Sequence, residues 1–98
     1  MLTKDAIANL LRTNDRAVDR AMVVLHERQT RDEQASSVTK HTNNRGFSAA
    51  HARLGSYYAR WVMKGRRLTG RHLVRAREIA LHYTGQLLEA AQVKSRAA

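Results

Sequence analysis

Apolar residues recur every three or four positions along most of this chain, which is the spacing of the buried face of an α-helix. Thr3 and Asn14 precede the first two apolar stripes and are residue types that cap helix N-termini. A third helix is predicted over residues 49–64, with Ser48 as its cap and Gly65 after its last residue, and a long fourth helix, capped by Thr69, is predicted to reach about Val93. The pattern therefore predicts an all-α fold with four helices.

One segment interrupts this periodicity. Residues 36–46 read Ser-Ser-Val-Thr-Lys-His-Thr-Asn-Asn-Arg-Gly and are rich in residues that favour turns. They predict a long loop between the second and third helices. The chain has 98 residues, no proline and five glycines, which suits one small helical domain spanning residues 1–98.

The second predicted helix contains the run Met22-Val23-Val24-Leu25, which is apolar most of the way round the helix. Either this helix lies at the centre of the fold, or Val23 and Val24 face a second molecule. Fifteen of the hydrophobic residues are alanines, so the core of an isolated monomer gains little apolar burial. A homodimer, or a complex with another protein, is therefore expected.

The net charge of +10 is unevenly distributed. Residues 35–77 contain ten lysines and arginines and no acidic residue, whereas the charges of residues 1–34 and of residues 78–98 cancel. A surface that is charged only for solubility normally mixes both signs. The excess predicts a surface that binds a polyanion, with DNA or RNA favoured over an anionic membrane.

Most of these cations surround the junction between the third and fourth helices, where helix N–H groups and arginines could both face a phosphate. Tyr57 could stack on an unpaired base, although aromatic residues at helical spacing more often belong to a core. The two helices fit a helix-turn-helix, with Arg71, His72 and Arg75 at base edges, or a plain helical hairpin. The candidate phosphate-binding residues are Arg53, Arg60, Lys64, Arg66, Arg67, Arg71 and Arg75.

No pattern of catalytic chemistry is visible. The chain has no cysteine, and its five histidines lack metal-ligand spacing, so we predict neither an enzyme nor a bound metal or cofactor. The N-terminus has no secretory signal, and no apolar run is long enough to span a bilayer. These features predict a cytoplasmic protein without a membrane partner.

Three short segments carry a recognisable pattern: Asn-Arg-Gly-Phe-Ser at 44–48, Gly-Arg-Arg-Leu-Thr at 65–69 and Tyr-Thr-Gly-Gln-Leu at 83–87. Together they resemble a short helical module of uncharacterised phage and plasmid proteins, which is also attached to some helicase-like proteins. The resemblance covers roughly residues 14–88, with His51 in place of an aspartate and His82 in place of a lysine. It implies a mobile-element origin and a role near nucleic-acid processing, and it supplies no catalytic residue.

Two functions remain open. The first is a nucleic-acid-binding protein of a phage or plasmid that contacts the phosphate backbone. The second is an adaptor or inhibitor subunit of a nucleoprotein complex, such as an anti-CRISPR or another anti-defence protein. Binding to naked DNA or RNA distinguishes the two functions, since the second needs a protein target.

Overall fold

Five α-helices account for most of the residues that the structure describes. It is a computed structural model that describes the backbone of residues 2–35 and 46–97 and the side chains of residues 2–29 and 46–93. The helices are α1 (Lys4–Thr13), α2 (Asp15–Ala35), α3 (Ala49–Met63), α4 (Gly70–Leu81) and α5 (Thr84–Ala97). Since no strand occurs in these ranges, the all-α prediction is confirmed. Apart from Gly46, the loop predicted over residues 36–46 lies outside the described residues.

The prediction of four helices was wrong, because the predicted fourth helix is two helices. α4 ends at Leu81 and α5 begins at Thr84. Between them, the His82 and Tyr83 N–H groups donate to carbonyl groups three residues earlier, at 3.0 and 2.9 Å. The apolar stripe continues across this tight turn, so the spacing of apolar residues alone did not reveal it.

α2 lies at the centre of the fold and packs against each of the other four helices, most extensively against α3. Its residues Val18, Met22 and Leu25 are fully buried. Val24 is half-buried and packs against the same core. The apolar run in α2 is therefore explained, in large part, by the central position of the helix.

Two of the predicted helix caps, Thr3 and Asn14, form capping bonds in the structure, whereas the side chains of Ser48 and Thr69 make none. Thr3 Oγ1 accepts a hydrogen bond from Ala6 N at 3.1 Å. Asn14 Oδ1 accepts bonds from Arg16 N at 3.0 Å and from Ala17 N at 3.2 Å. Both side chains satisfy N–H groups that have no partner within the helix, which fixes where α1 and α2 begin.

Arg77 joins α4 to the junction between α1 and α2. Its Nε donates to the carbonyl oxygen of Leu11 at 2.7 Å, and its guanidinium forms an ion pair with Asp15. This arginine belongs to the basic segment of the sequence, yet its guanidinium bonds to other parts of the chain and stabilises the packing of α4 on α1 and α2.

Residues 46–48 are held by the side of α5. The side chain of Gln86 accepts a bond from Gly46 N at 2.7 Å and donates one to Gly46 O at 3.0 Å. Gly46 has a φ of +79°, and a Cβ there would lie 2.4 Å from Cβ of Gln29. Glycine is therefore required at this position both by the backbone conformation and by the space available.

Phe47 is the aromatic anchor of the same segment. It is buried, and its ring meets that of Tyr83 edge-on, with 5.8 Å between ring centroids. The other side of the ring lies against Gly55 of α3, where a Cβ would be 2.5 Å from two ring carbons. The residues that carry the resemblance to the helical module therefore include several with structural roles.

Candidate nucleic-acid interface

Three of the predicted phosphate-binding cations form one exposed row along α3, which we call the α3 row, with the C-cap residue Lys64 at its end. Arg53, Arg60 and Lys64 are separated by seven and four residues, so they share one side of the helix, with Tyr57 among them. All four side chains are exposed. The three cations form no ion pair with any residue that the structure describes. Their charge is therefore available to a ligand.

Trp61 organises the start of the connection between α3 and α4. Its indole Nε1 donates to the carbonyl oxygen of Arg67 at 3.1 Å. The guanidinium of Arg66 lies over the indole ring, 4.5 Å from the ring centroid. This cation–π contact holds the cation of Arg66 at a defined place without neutralising its charge.

The buried carboxylate of Asp19 in α2 binds the end of the α3–α4 connection. The carboxylate accepts a bond from Leu68 N at 3.4 Å and lies 3.5 Å from Nε of Arg67. Asp19 is 6% exposed, whereas the side chain of Arg67 is 54% exposed. Arg67 is thus partly neutralised by a buried carboxylate while part of its guanidinium faces solvent.

The N-terminus of α4 lacks the groups that usually satisfy a helix start. Thr69 is the N-cap residue, but its side chain makes no capping bond, and the first turn has no acidic residue. Arg71 and His72 occupy that turn instead and are exposed. Because N-terminal N–H groups and the helix dipole both favour an anion, this end of α4 is suited to a phosphate oxygen.

A small cleft separates α3 from the start of α4. Its volume is about 50 Å³, and the rings of Tyr57, Tyr58, Trp61 and His72 contribute to its walls. The hydroxyl of Tyr58 lies 3.4 Å from His72 Nδ1, and burial raises the pKa of this phenol. Tyr57, which is 48% exposed, stands at the boundary between the cleft and the cationic row.

The helix-turn-helix hypothesis fits the geometry less well than a helical hairpin does. Residues 64–69 connect α3 and α4, which is longer than the usual turn of three or four residues. His72 packs against Tyr58, and Arg75 forms a 3.2 Å ion pair with Glu78. Two of the three residues that were expected to contact base edges therefore have partners within the chain.

Val23 and Val24 lie on different sides of α2. Consecutive helical residues point about 100° apart, and the exposed Arg16, Arg20 and Glu27 lie between the two directions. Val24 lines a groove of about 490 Å³ that is bounded by α1, α2 and α5, whereas Val23 is half-buried outside this groove. The two valines therefore do not form one continuous interface.

A separate polar cluster joins the first turn of α3 to the turn before α5. The Tyr83 hydroxyl accepts a bond from Ser48 N at 3.0 Å and lies 2.7 Å from His51 Nδ1. The rings of His51 and His82 are 5.1 Å apart. Burial lowers the pKa of His51, and the nearby His82 and Arg75 lower it further. The Tyr83 hydroxyl donates to Ser48 Oγ at 3.1 Å, so a neutral His51 that carries its proton on Nδ1 can donate to the Tyr83 oxygen.

We expect His51 to make the protein less stable in mild acid. The unfolded chain binds a proton at His51 more readily than the folded chain does, so the free energy of unfolding falls as pH drops below about 6.5. In a His51→Asn variant the free energy of unfolding should fall less steeply over this pH range, because the contribution of His51 is removed. Urea unfolding of both proteins from pH 7.5 to pH 5 measures the difference, and identical pH profiles would contradict this role of His51.

Comparisons of the chain with models of protein families, with curated proteins and with solved structures give no significant match. The resemblance to the phage and plasmid module therefore stays a prediction, and the functional argument depends on the surface geometry.

The described ranges contain no group of three or more histidine or acidic side chains arranged to hold a metal ion. Within the same part of the chain, none of the helices combines the length and apolar character needed to cross a bilayer.

Proposed function

We propose that this chain is a small nucleic-acid-binding protein of a mobile element, which contacts the phosphate backbone through α3 and the α3–α4 connection. The observation that carries the proposal is the exposed row of Arg53, Arg60 and Lys64, which have no ion-pair partner among the described residues. By contrast, Arg28 and Arg77 form ion pairs within the chain. Exposed cations without ion-pair partners on one side of a helix are typical of a phosphate-binding surface.

The dimensions of the row suit several phosphates. From Arg53 to Lys64 the helix rises about 16 Å at 1.5 Å per residue, and one strand of duplex DNA places a phosphate about every 3.4 Å along its axis. Arg66 and Arg71 extend the positive surface from Lys64 toward the start of α4. Such an arrangement favours contact with the backbone over the reading of individual bases.

The test is a titration of the purified protein against random duplex DNA, single-stranded DNA and RNA at several salt concentrations. If about five cations contact phosphates, log affinity falls linearly with log salt, with a slope of about −4 to −5 on duplex DNA. A single strand should give a slope of about −3 to −4. The proposal would be overturned if the protein bound none of the three polymers at low salt.

The choice between duplex and single strand depends on Tyr57. Its exposed ring lies among the cations of α3, where an unpaired base could stack on it. A Tyr57→Leu variant should then lose about 1–3 kcal/mol of affinity for single strands and little for duplex DNA. Equal losses on both polymers would exclude stacking as the reason.

A second function, an adaptor or inhibitor subunit of a nucleoprotein complex, is supported by the apolar groove between α1, α2 and α5. The groove is formed by α1, α2 and α5, whereas the row of cations lies on α3. A protein partner and a nucleic acid could therefore bind one molecule together. An inhibitor such as an anti-CRISPR would bind its target protein with little dependence on nucleic acid.

A further inference from the structure

We propose that the groove bounded by α1, α2 and α5 binds an acidic amphipathic helix of another protein. This inference goes beyond the proposed binding of nucleic acid and depends on different residues. It also assigns a partner chemistry to the apolar side of α2.

The groove has the apolar character that a docked helix needs. Ile7, Leu11 and Leu87 are buried and line it, with Leu10 and Val24 beside them. Leu10 lines the groove and is 47% exposed, so a docked helix could bury it further. An amphipathic helix that inserts apolar side chains at positions i, i+3 or i+4, and i+7 would cover this surface.

The charges at the groove select the partner. Arg16 and Arg20 line it, lie four residues apart on α2, and form no ion pair with any described residue. The twelve residues that line the groove include no acidic residue. A helix with glutamate or aspartate along one flank of its apolar stripe would therefore find two unpaired cations about 6 Å apart along α2.

A second copy of this chain fits the groove poorly. Each copy carries a net charge of +10, so association brings like charges together. Asp15, Glu78 and Glu89 already form ion pairs within the chain, and Asp19 is buried. Four of the eight carboxylates of a second copy are thus paired or buried, and together with the like net charge this favours an acidic partner over the expected homodimer.

Three synthetic 18-residue helical peptides provide the test. All carry the same leucine stripe, and the positions that flank it are glutamate in one peptide, lysine in the second and glutamine in the third. We expect the glutamate peptide to bind at least tenfold more tightly than the glutamine peptide, and the lysine peptide not to bind. Amide chemical-shift changes should concentrate on Leu10, Ala17 and Val24.

Protein variants separate the groove from the basic surface of α3. Arg16→Gln with Arg20→Gln should weaken binding of the glutamate peptide roughly tenfold and leave nucleic-acid binding nearly unchanged. Leu10→Lys should weaken binding of both the glutamate and the glutamine peptides, whereas Val74→Lys, at another exposed apolar residue, is the matched control. Arg60→Gln with Lys64→Gln should have the opposite effect, lowering nucleic-acid affinity alone.

Several outcomes would overturn the inference. One is equal binding of the glutamate and glutamine peptides; another is a larger loss of peptide binding in the α3 variant than in the α2 variant. Self-association of the wild-type chain in sedimentation, abolished by Leu10→Lys, would assign the groove to a second copy. If the protein bound none of the three nucleic acids, the proposed function would fail, but the groove inference would stand, because peptide binding is measured in a separate assay.

Discussion

Replacing Arg53, Arg60 and Lys64 together by glutamine should lower the affinity for duplex DNA several hundredfold at 0.1 M salt. Each phosphate contact contributes about 0.9 log units of affinity at this salt concentration through counterion release, so three contacts contribute about 2.7. The slope of log affinity against log salt should become shallower by about the same amount. Fluorescence anisotropy with a labelled duplex of random sequence measures both quantities.

The matched control removes the same number of charges from another face. Arg12, Arg16 and Arg20 are exposed on α1 and α2, and their replacement by glutamine changes the net charge equally. We expect this control to retain most of the affinity, because the long-range effect of exposed charges is screened beyond about 10 Å at 0.1 M salt. If both triple variants weaken binding equally, net charge rather than the α3 row determines binding.

The α3 row could be predicted from the sequence because its geometry is local. Helical spacing alone places Arg53, Arg60 and Lys64 on one side, and no acidic residue occurs between residues 35 and 77. The capping roles of Thr3 and Asn14 are local in the same way, since each side chain bonds to N–H groups two or three residues later.

The other cations of the basic segment could not be sorted without the tertiary structure. Arg77 and Arg67 meet Asp15 and Asp19, which are about fifty or more residues away in the sequence. In the sequence, these carboxylates are visible only as part of the neutral charge balance of residues 1–34. A pattern of local spacing contains no information on such pairs, so it could not separate Arg67 and Arg77, which have carboxylate partners, from the exposed cations of the α3 row.

The break between α4 and α5 was missed for a related reason. Continuation of the apolar stripe favours one long helix, whereas the turn at His82 and Tyr83 brings the Tyr83 hydroxyl to Ser48 and His51. Gln86, one turn further along, reaches Gly46. These contacts join segments more than thirty residues apart, and the periodicity of either segment does not reveal them.

The contact between Phe47 and Gly55 should show a strong energetic coupling. Phe47→Ala should lower the free energy of unfolding by about 3–5 kcal/mol, because it leaves a cavity where a buried ring lay. Gly55→Ala should cost about 1–3 kcal/mol in the wild-type background, since the new Cβ would lie 2.5 Å from the ring. The helical preference of alanine offsets at most about 1 kcal/mol of this cost, so we expect a net loss of stability.

In the Phe47→Ala background the sign of the Gly55→Ala effect should reverse. The ring that blocks the new methyl group is gone, so the alanine keeps its helical advantage of up to about 1 kcal/mol and fills part of the cavity. Urea unfolding of the four proteins in a constant concentration of trimethylamine oxide, which keeps the weaker variants folded, completes the double-mutant cycle. Gly85→Ala is the control, because its Cβ would meet only the end of the Lys4 side chain at 3.5 Å. Additive effects of the two substitutions would mean that Phe47 does not limit the space at Gly55, and that the pairing of these two residues does not fix how residues 46–48 pack on α3.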